Sequence, residues 1–514
     1  FSITNPGSAA TITLSTTGNI LINSATNIAG ANTTLGISTS ELAILATANS
    51  TISAVVGTAV AGSMTISGNG NVTLSTASAY TGTTFINNAT LTAGASNVLS
   101  SGGVTMRSGL YDLNGNSDTI GALSLTGSTI TTGAGTLTGN GSFTTATNAN
   151  FTSVISGNLG LGANATFTIN DGLMDNDAVI SAVISGAFTF AKAGTGVLKL
   201  SGSNSYTGAT TISNGILRLG ATGGVTNTPL GTVAAGTTVS GAGAALDLNG
   251  FTLGTNEALT LSGALATGAL QNTSSTAASY TGLITLGAAS TIISNYGDIN
   301  ITNIGNITGN TFGLTIGGAG NGALFSNLNT TTGTLTKNGL GLWVIYGNST
   351  FTGATTISAG TLKLGAAGSG SNTPLGTSAG GVSITSGAIF DLNGFTLTTA
   401  EALAINGTGI ANIGAFINSS NNSISYSGVI TPGANSRLAN YGTGTWTLTG
   451  NIVGSTRALT FVTVGNMTQS SSSVWSGTTS SLIKEGSGTL ILAGQNSITG
   501  SMTVSTGKLQ LGAS

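Results

Sequence analysis

The chain has 514 residues, among them 82 Gly, four Pro, no Cys and no His. Charged residues make up 4% of it, where ordinary soluble domains carry about 25%, and ten basic against twelve acidic side chains leave a net charge of −2. This balance excludes the electrostatic footprint of a nucleic-acid or anionic-membrane binder, and the missing residue types exclude disulfide frameworks and every catalytic triad built on His or Cys.

Glycine richness alone would suggest disorder, but 39% of the residues are apolar, many at alternating positions, so the chain can bury a long, thin core. No apolar run reaches the length of a transmembrane helix. Phe1-Ser2-Ile3-Thr4 opens in a strand-like pattern without a basic or apolar leader, so the chain reads as a mature or excised fragment.

Residues 1–67 hold short alternating runs, such as Ile12-Thr13-Leu14 and Ile20-Leu21-Ile22, read as diverged coils; at Glu41–Ala46 a helical turn competes. From there a core segment recurs four times without a gap, beginning at Gly68, Gly194, Gly339 and Gly486. Its clearest copy is GTGVLKLSGSNSYTGATTISNGILRLG, Gly194 to Gly220. Leu198 and Leu200 correspond to Val72 and Leu74, to Trp343 and Ile345, and to Leu490 and Leu492, so two alternate positions are always apolar, which is strand periodicity with one buried face. Val197, Lys199, Leu342, Val344 and Ile491 fall on the outward face. A second strand carries Ile86, Ile212, Ile357 or Val504, and a third carries Leu217 and Leu219 with their counterparts. Between the first two stands an anchor, Tyr80, Tyr206, Phe351 or Ile498, before a turn glycine.

Companion blocks recur as well: YDLNGNSDTI at Tyr111, LDLNGFTL at Leu246 and FDLNGFTL at Phe390. The last two large units agree further, with Thr228-Pro229-Leu230-Gly231 returning at Thr373–Gly376 and Glu257-Ala258-Leu259 at Glu401–Leu403. The turns lack the two-residue Asn-Gly or Asp-Gly loops that hairpins favour between alternating strands, and long-period self-similarity favours stacked coils. The expected fold is therefore all-β: a right-handed parallel β-helix, a β-solenoid, with handedness taken from the bias of parallel crossovers. It is expected to be one continuous helix over residues 1–514, with internal units 1–95, 96–220, 221–365 and 366–514. At roughly 22 residues per coil and about 4.8 Å per step, the elongated rod would extend on the order of 110 Å.

The core pattern, carried by Gly194, Gly196, Leu198, Leu200, Gly202, Asn204, Tyr206, Thr207, Gly208, Thr210, Ile212, Gly215, Leu217 and Leu219, resembles the autotransporter-associated β-strand repeat of passenger regions in large bacterial surface proteins. The Asp-Leu-Asn-Gly blocks resemble the same proteins. The resemblance implies a cell-surface or extracellular scaffold: a structural, non-enzymatic stalk or fibre, with an adhesin passenger binding a glycan or host surface, or a polysaccharide-degrading β-helix enzyme, as alternatives. The membrane barrel that accompanies such passengers is not recognisable in a chain with 5% aromatics. Little charge means little mutual repulsion. The expected partners are therefore further copies of the chain, side by side or head to tail, or flanking repeats covering the end at Leu509–Ser514.

No catalytic residue, cofactor or firm metal site is expected. The densest acidic cluster, Asp171, Asp175 and Asp177 in INDGLMDNDAVI, is a weak Ca²⁺ candidate that lacks EF-hand spacing and reads more simply as a solvated turn. Asp112, Asp247 and Asp391, each followed by Leu-Asn-Gly, are expected to bond the backbone of their turns. Lys192, Lys337 and Lys484, two residues before three of the leading glycines, are expected on the surface.

Overall fold

The computed structural model describes residues 41–57, 62–146, 150–263, 265–454, 456–477 and 480–512, and short strands among the first forty. Phe1 and the closing Ala513 and Ser514 lie outside the described residues. The structure is a parallel β-solenoid, without an α-helix among the described residues and with a short 3-10 turn at Ile410–Asn412. None of the described residues forms a helix long and apolar enough to cross a membrane. The chain divides into two compact units, Phe1–Asp247 with Leu253–Ala258, and Leu248–Thr252 with Leu259–Ser514.

In the first unit two ladders of parallel strands alternate along the chain. One runs from Ser50–Ile52 through Asn71–Leu74, Thr90–Ala93 and Val197–Leu200 to Ala244–Asp247. The other runs from Leu42–Ala46 through Met64–Ser67 and Phe190–Ala193 to Thr237–Val239. The stretch where a helical turn competed is thus a strand, its Leu42, Ile44 and Ala46 buried on one face.

The three strands of a core copy, read together as one coil, are corrected by the pairing. The first and third strands of a core copy are neighbours in one ladder, Leu198 on Leu217 and Leu200 on Leu219. The coil therefore closes inside the copy, and three strands are more than one turn. Leu198, Leu200, Ile212, Leu217 and Leu219 are all fully buried. A column of buried rings accompanies them: Phe143 stacks on Phe167 at 4.3 Å between centroids, Phe167 on Phe190 at 4.4 Å, and Phe190 on Tyr206 at 5.6 Å. The Tyr206 hydroxyl shares a hydrogen bond of 2.7 Å with Thr210 Oγ1, as Tyr80 does with Thr84 at 2.6 Å.

The second unit repeats the scheme. Leu335–Lys337, Thr355–Ile357 and Val382–Ile384 pair in parallel on one side. Gly322–Leu324, Leu342–Ile345 and Gly360–Leu364 do so on the other. Trp343 stands where the first unit has Leu198, and the residue it stacks on shrinks to match: Ala178 lies under Leu198, but Gly322 lies under Trp343. A Cβ on Gly322 would come within 2.6 Å of the indole.

The anchor of the core copy that begins at Gly339 is Phe351, and Thr355 four residues on is buried with no partner for its Oγ1. Phe351→Tyr supplies the missing hydroxyl in the geometry seen at Tyr206 and Thr210. It is expected to stabilise this unit by about 0.5–1 kcal/mol, read as a higher melting midpoint.

In the final core copy Met502, Val504 and Leu511 are exposed by 48, 47 and 71%.

Candidate functional site

The three lysines expected on the surface are fully buried. The physical reason lies in strand parity: in Phe190–Ala193 the inward positions are Phe190 and Lys192, and Lys192 pairs with Ile212 on the next coil. Each ammonium is held by three backbone carbonyls. Lys192 Nζ donates to Ala193 O at 2.9 Å, Gly194 O at 2.8 Å and Asn214 O at 3.0 Å. Lys337 Nζ donates to Asn338 O, Gly339 O and Ala359 O at 2.9, 2.8 and 2.9 Å. Lys484 Nζ donates to Glu485 O, Gly486 O and Thr506 O at 2.6, 2.8 and 3.2 Å. Two acceptors in each case belong to the lysine's own turn and the third to the turn one coil on.

Three acceptors at hydrogen-bond distance match the three donors of an ammonium. Burial works the other way, lowering Lys192 to about 7, against the pull of Asp177, lowering Lys337 to about 8, and lowering Lys484 as well.

A glycine stands at the matching position one coil on from each lysine, and at two of the three it leaves room for the ammonium. Gly215, Gly360 and Gly507 have φ of 65, 65 and 75°, a left-handed conformation. A Cβ on Gly215 would lie 2.8 Å from Lys192 Nζ, and one on Gly507 would lie 2.7 Å from Lys484 Nζ. In the first core copy both partners change together: Ile66 takes the lysine's place and Ala89 the glycine's.

A second buried group joins two motifs that recur in parallel. Glu257 is buried and bonded by Thr237 Oγ1 and Thr228, and Glu401 is buried and bonded by Thr399 Oγ1 at 2.7 Å and Thr373 Oγ1 at 3.4 Å. The Thr-Pro-Leu-Gly turn is thus stapled to the Glu-Ala-Leu segment in both places. The partners are hydroxyls, so burial dominates and raises Glu257 to about 7 and Glu401 above its usual range.

The acidic loop is exposed at Asp171 and Asp175, as expected of a solvated turn, but not at Asp177. Asp177 is buried, with Oδ1 accepting the amide of Gly172 and Oδ2 that of Val197, both at 2.7 Å. Asp175 pairs with Arg218 Nη1 at 2.8 Å, while Arg218 Nε reaches Asp247 at 2.9 Å. Asp171 is exposed. No three acidic side chains among the described residues are placed to hold a metal ion.

The Asp-Leu-Asn-Gly blocks form one turn three times. Asn114, Asn249 and Asn393 have φ of 48, 49 and 50°, and the glycines after them 81, 81 and 82°. Asp112 and Asp391 accept the amides of Asn114 and Asn393 at 2.9 and 2.8 Å, and Asp247 is the buried partner of Arg218. The first block differs inside. Tyr111 and Asp118 replace the Leu246 and Leu253 of the second block, and Tyr111 donates to Asp118 at 2.5 Å. Burial raises both groups.

An open groove of about 520 Å³ runs along the first unit beside the first core copy, lined by Asn69, Asn88, Thr90, Ser108 and Thr129 among others, with no ionisable side chain.

The family model for the passenger-associated-transport-repeat matches residues 64–93, 190–219, 335–364 and 482–511. All four core segments thus match the passenger-associated-transport-repeat. Each repeat begins just ahead of its leading glycine and so includes the buried lysine, or Ile66 in the first. With the parallel β-solenoid around them, the repeats agree with an autotransporter passenger β-helix, and such repeats imply a secreted or surface-exposed protein. No curated protein and no solved structure gives a match to the chain.

Proposed function

We propose that this chain is a structural, non-enzymatic stalk or fibre of a bacterial cell-surface or extracellular protein. The observation that carries the reading is the setting of the repeats. All four lie within parallel coils, and the few ionisable side chains beside them serve as internal staples: lysines on carbonyls, Glu257 and Glu401 on hydroxyls, Arg218 on two carboxylates. Ladders of backbone hydrogen bonds along the coils resist local opening and proteolysis. The low charge supports association with further copies, side by side or end to end, into filaments. Repeats flanking this stretch in a longer polypeptide would stack on it through the same surfaces.

An antibody raised against the purified chain is expected to label intact source cells, and external protease to remove that label. Labelling seen only after permeabilisation would contradict the reading. The uncharged groove beside the first repeat favours a second reading, an adhesin that takes a neutral glycan. Saturable binding of a neutral glycan, lost when the strand residues Thr90 and Thr129 are both replaced by Val, would select it over a plain stalk.

A further inference from the structure

We propose that the buried lysine and the glycine facing it form a register lock, which selects one stacking of successive coils over its slipped alternatives at no gain in stability. This rests on the parallel stacking itself and not on the cellular role of the stalk.

Slippage is a hazard built into this composition. Strands rich in Thr, Ser and Gly specify their register weakly, and a slip of two residues keeps every inward side chain facing inward. Leu342–Ile345 against Gly360–Leu364 illustrates the problem, since apolar residues alternate on both strands and Trp343 could face either neighbour of Leu362 in the column. An apolar contact discriminates poorly between such alternatives. Three hydrogen bonds from one ammonium discriminate well.

The geometry meets that need. Two of the three acceptors of Lys337 lie in its own turn and travel with it, but Ala359 O belongs to the next coil. Sliding that coil by two residues removes the third acceptor and carries the left-handed Gly360 away from the ammonium, leaving a residue with a Cβ in its place. A buried ammonium short of an acceptor is heavily penalised, so the slipped state is disfavoured by far more than its apolar contacts would require. The same three contacts with the same division between coils recur at Lys192 and Lys484.

The first repeat supplies the internal comparison. Ile66 and Ala89 stand in for lysine and glycine, Ile66 is fully buried, and its strand still pairs in register with Leu42–Ala46 and Thr84–Asn87. An apolar pair therefore closes the coil as well, with the left-handed residue moved from the glycine position to Asn88 (φ 48°), and the fold does not need an ammonium there to close. Buried polar groups in that position fit a role in specifying one arrangement, as a single buried polar residue does in coiled coils.

The test uses the full chain, which contains no native cysteine. Leu342 pairs with Thr361 in the observed register, and Lys363 would face it after a two-residue slip. Leu342→Cys is combined with Thr361→Cys or with Lys363→Cys, and each protein is refolded from denaturant before oxidation. With the lock intact, the 342–361 link is expected and the 342–363 link stays at background. With Lys337→Ile alone, Gly360 being kept because a Cβ there would meet Gly339 O at 2.4 Å, the melting midpoint is expected to stay within about 3 °C, while the slipped link rises on the order of tenfold, the ratio that loss of one charge-assisted bond allows. A slipped link still at background in that variant overturns the proposal, as does failure to refold or a large drop in midpoint, either of which would make the lysine a stabiliser. The converse exchange, Ile66→Lys with Ala89→Gly, is expected to fold without a gain in midpoint, and a large gain would overturn the proposal in the same way.

Discussion

Trp343→Ala is expected to destabilise the second unit by about 3–5 kcal/mol, the range for emptying a fully buried large aromatic site. The indole is completely buried, rests flat on Gly322, and donates from Nε1 to Gly317 O at 3.2 Å. Truncation would leave a cavity bounded by backbone on the Gly322 side, which cannot collapse, and an acceptor without its donor. The pairing with glycine makes the prediction sharper than a generic core truncation. Gly322→Ala alone should cost about 1–3 kcal/mol through overpacking. Combined with Trp343→Leu, which restores the Ala-under-Leu arrangement of Ala178 and Leu198, the same alanine should cost much less. The double-mutant cycle, read from denaturant unfolding of the second unit, is expected to give a coupling of at least about 1 kcal/mol. Additive costs would show that the indole does not lie on Gly322.

The stability of the chain is expected to fall as pH rises from about 4.5 to about 7. Burial raises Glu257 from 4.5 to about 7 and raises Glu401 in the same direction. A carboxyl whose folded value lies above its unfolded one binds its proton more tightly in the folded state. Its stabilisation is complete below the unfolded value and is lost as pH climbs through the folded one. For Glu257 the shift corresponds to about 3 kcal/mol across that window. Asp118, also raised by burial, works in the same sense, while Lys192, lowered by burial to about 7, meets the upper edge of this window and acts in the opposite sense above it. Glu257→Gln keeps the size and the acceptor for Thr237 while removing the charge. It is expected to flatten the acid limb of the first unit's melting midpoint and to raise that midpoint at pH 7.5. A midpoint that rises between pH 4.5 and 7 in the parent chain, or an unchanged slope in the Gln variant, would show that Glu257 is ionised where it lies.

The apolar framework was readable because the physics that places it is local. Alternation at Leu198 and Leu200, at Leu217 and Leu219, and at Trp343 and Ile345 identifies the inward face, and all six are fully buried. Turn chemistry was readable for the same reason at Asp112 and Asp391, whose carboxylates bond the backbone two residues on. The lysines were not legible as inward residues because their charge points to the surface while only strand parity points to the core. Lys192 shares its parity with Phe190, and its recurrence at the same inward position in three repeats, in a chain with ten basic residues, was the available signal. Asp177 was not legible as buried either, since its spacing says nothing of the two amides that bind it. The staple between Thr228 and Glu257 was visible only as two separate recurrences. What joins them is the length of a coil, which depends on how the intervening turns fold.

The central claim is that successive passes of the chain run in the same direction, each directly on the last. Disulfide trapping between the strands Leu342–Ile345 and Gly360–Leu364 tests it most directly, because neighbouring Cα positions in a ladder fall within the narrow range a disulfide spans. Parallel stacking predicts that Leu342→Cys links to Thr361→Cys and Val344→Cys to Lys363→Cys, while the crossed combinations, 342 with 363 and 344 with 361, stay reduced. Efficient crossed links with the direct ones absent would mean that these strands run in opposite directions, as in a hairpin, and would contradict the solenoid.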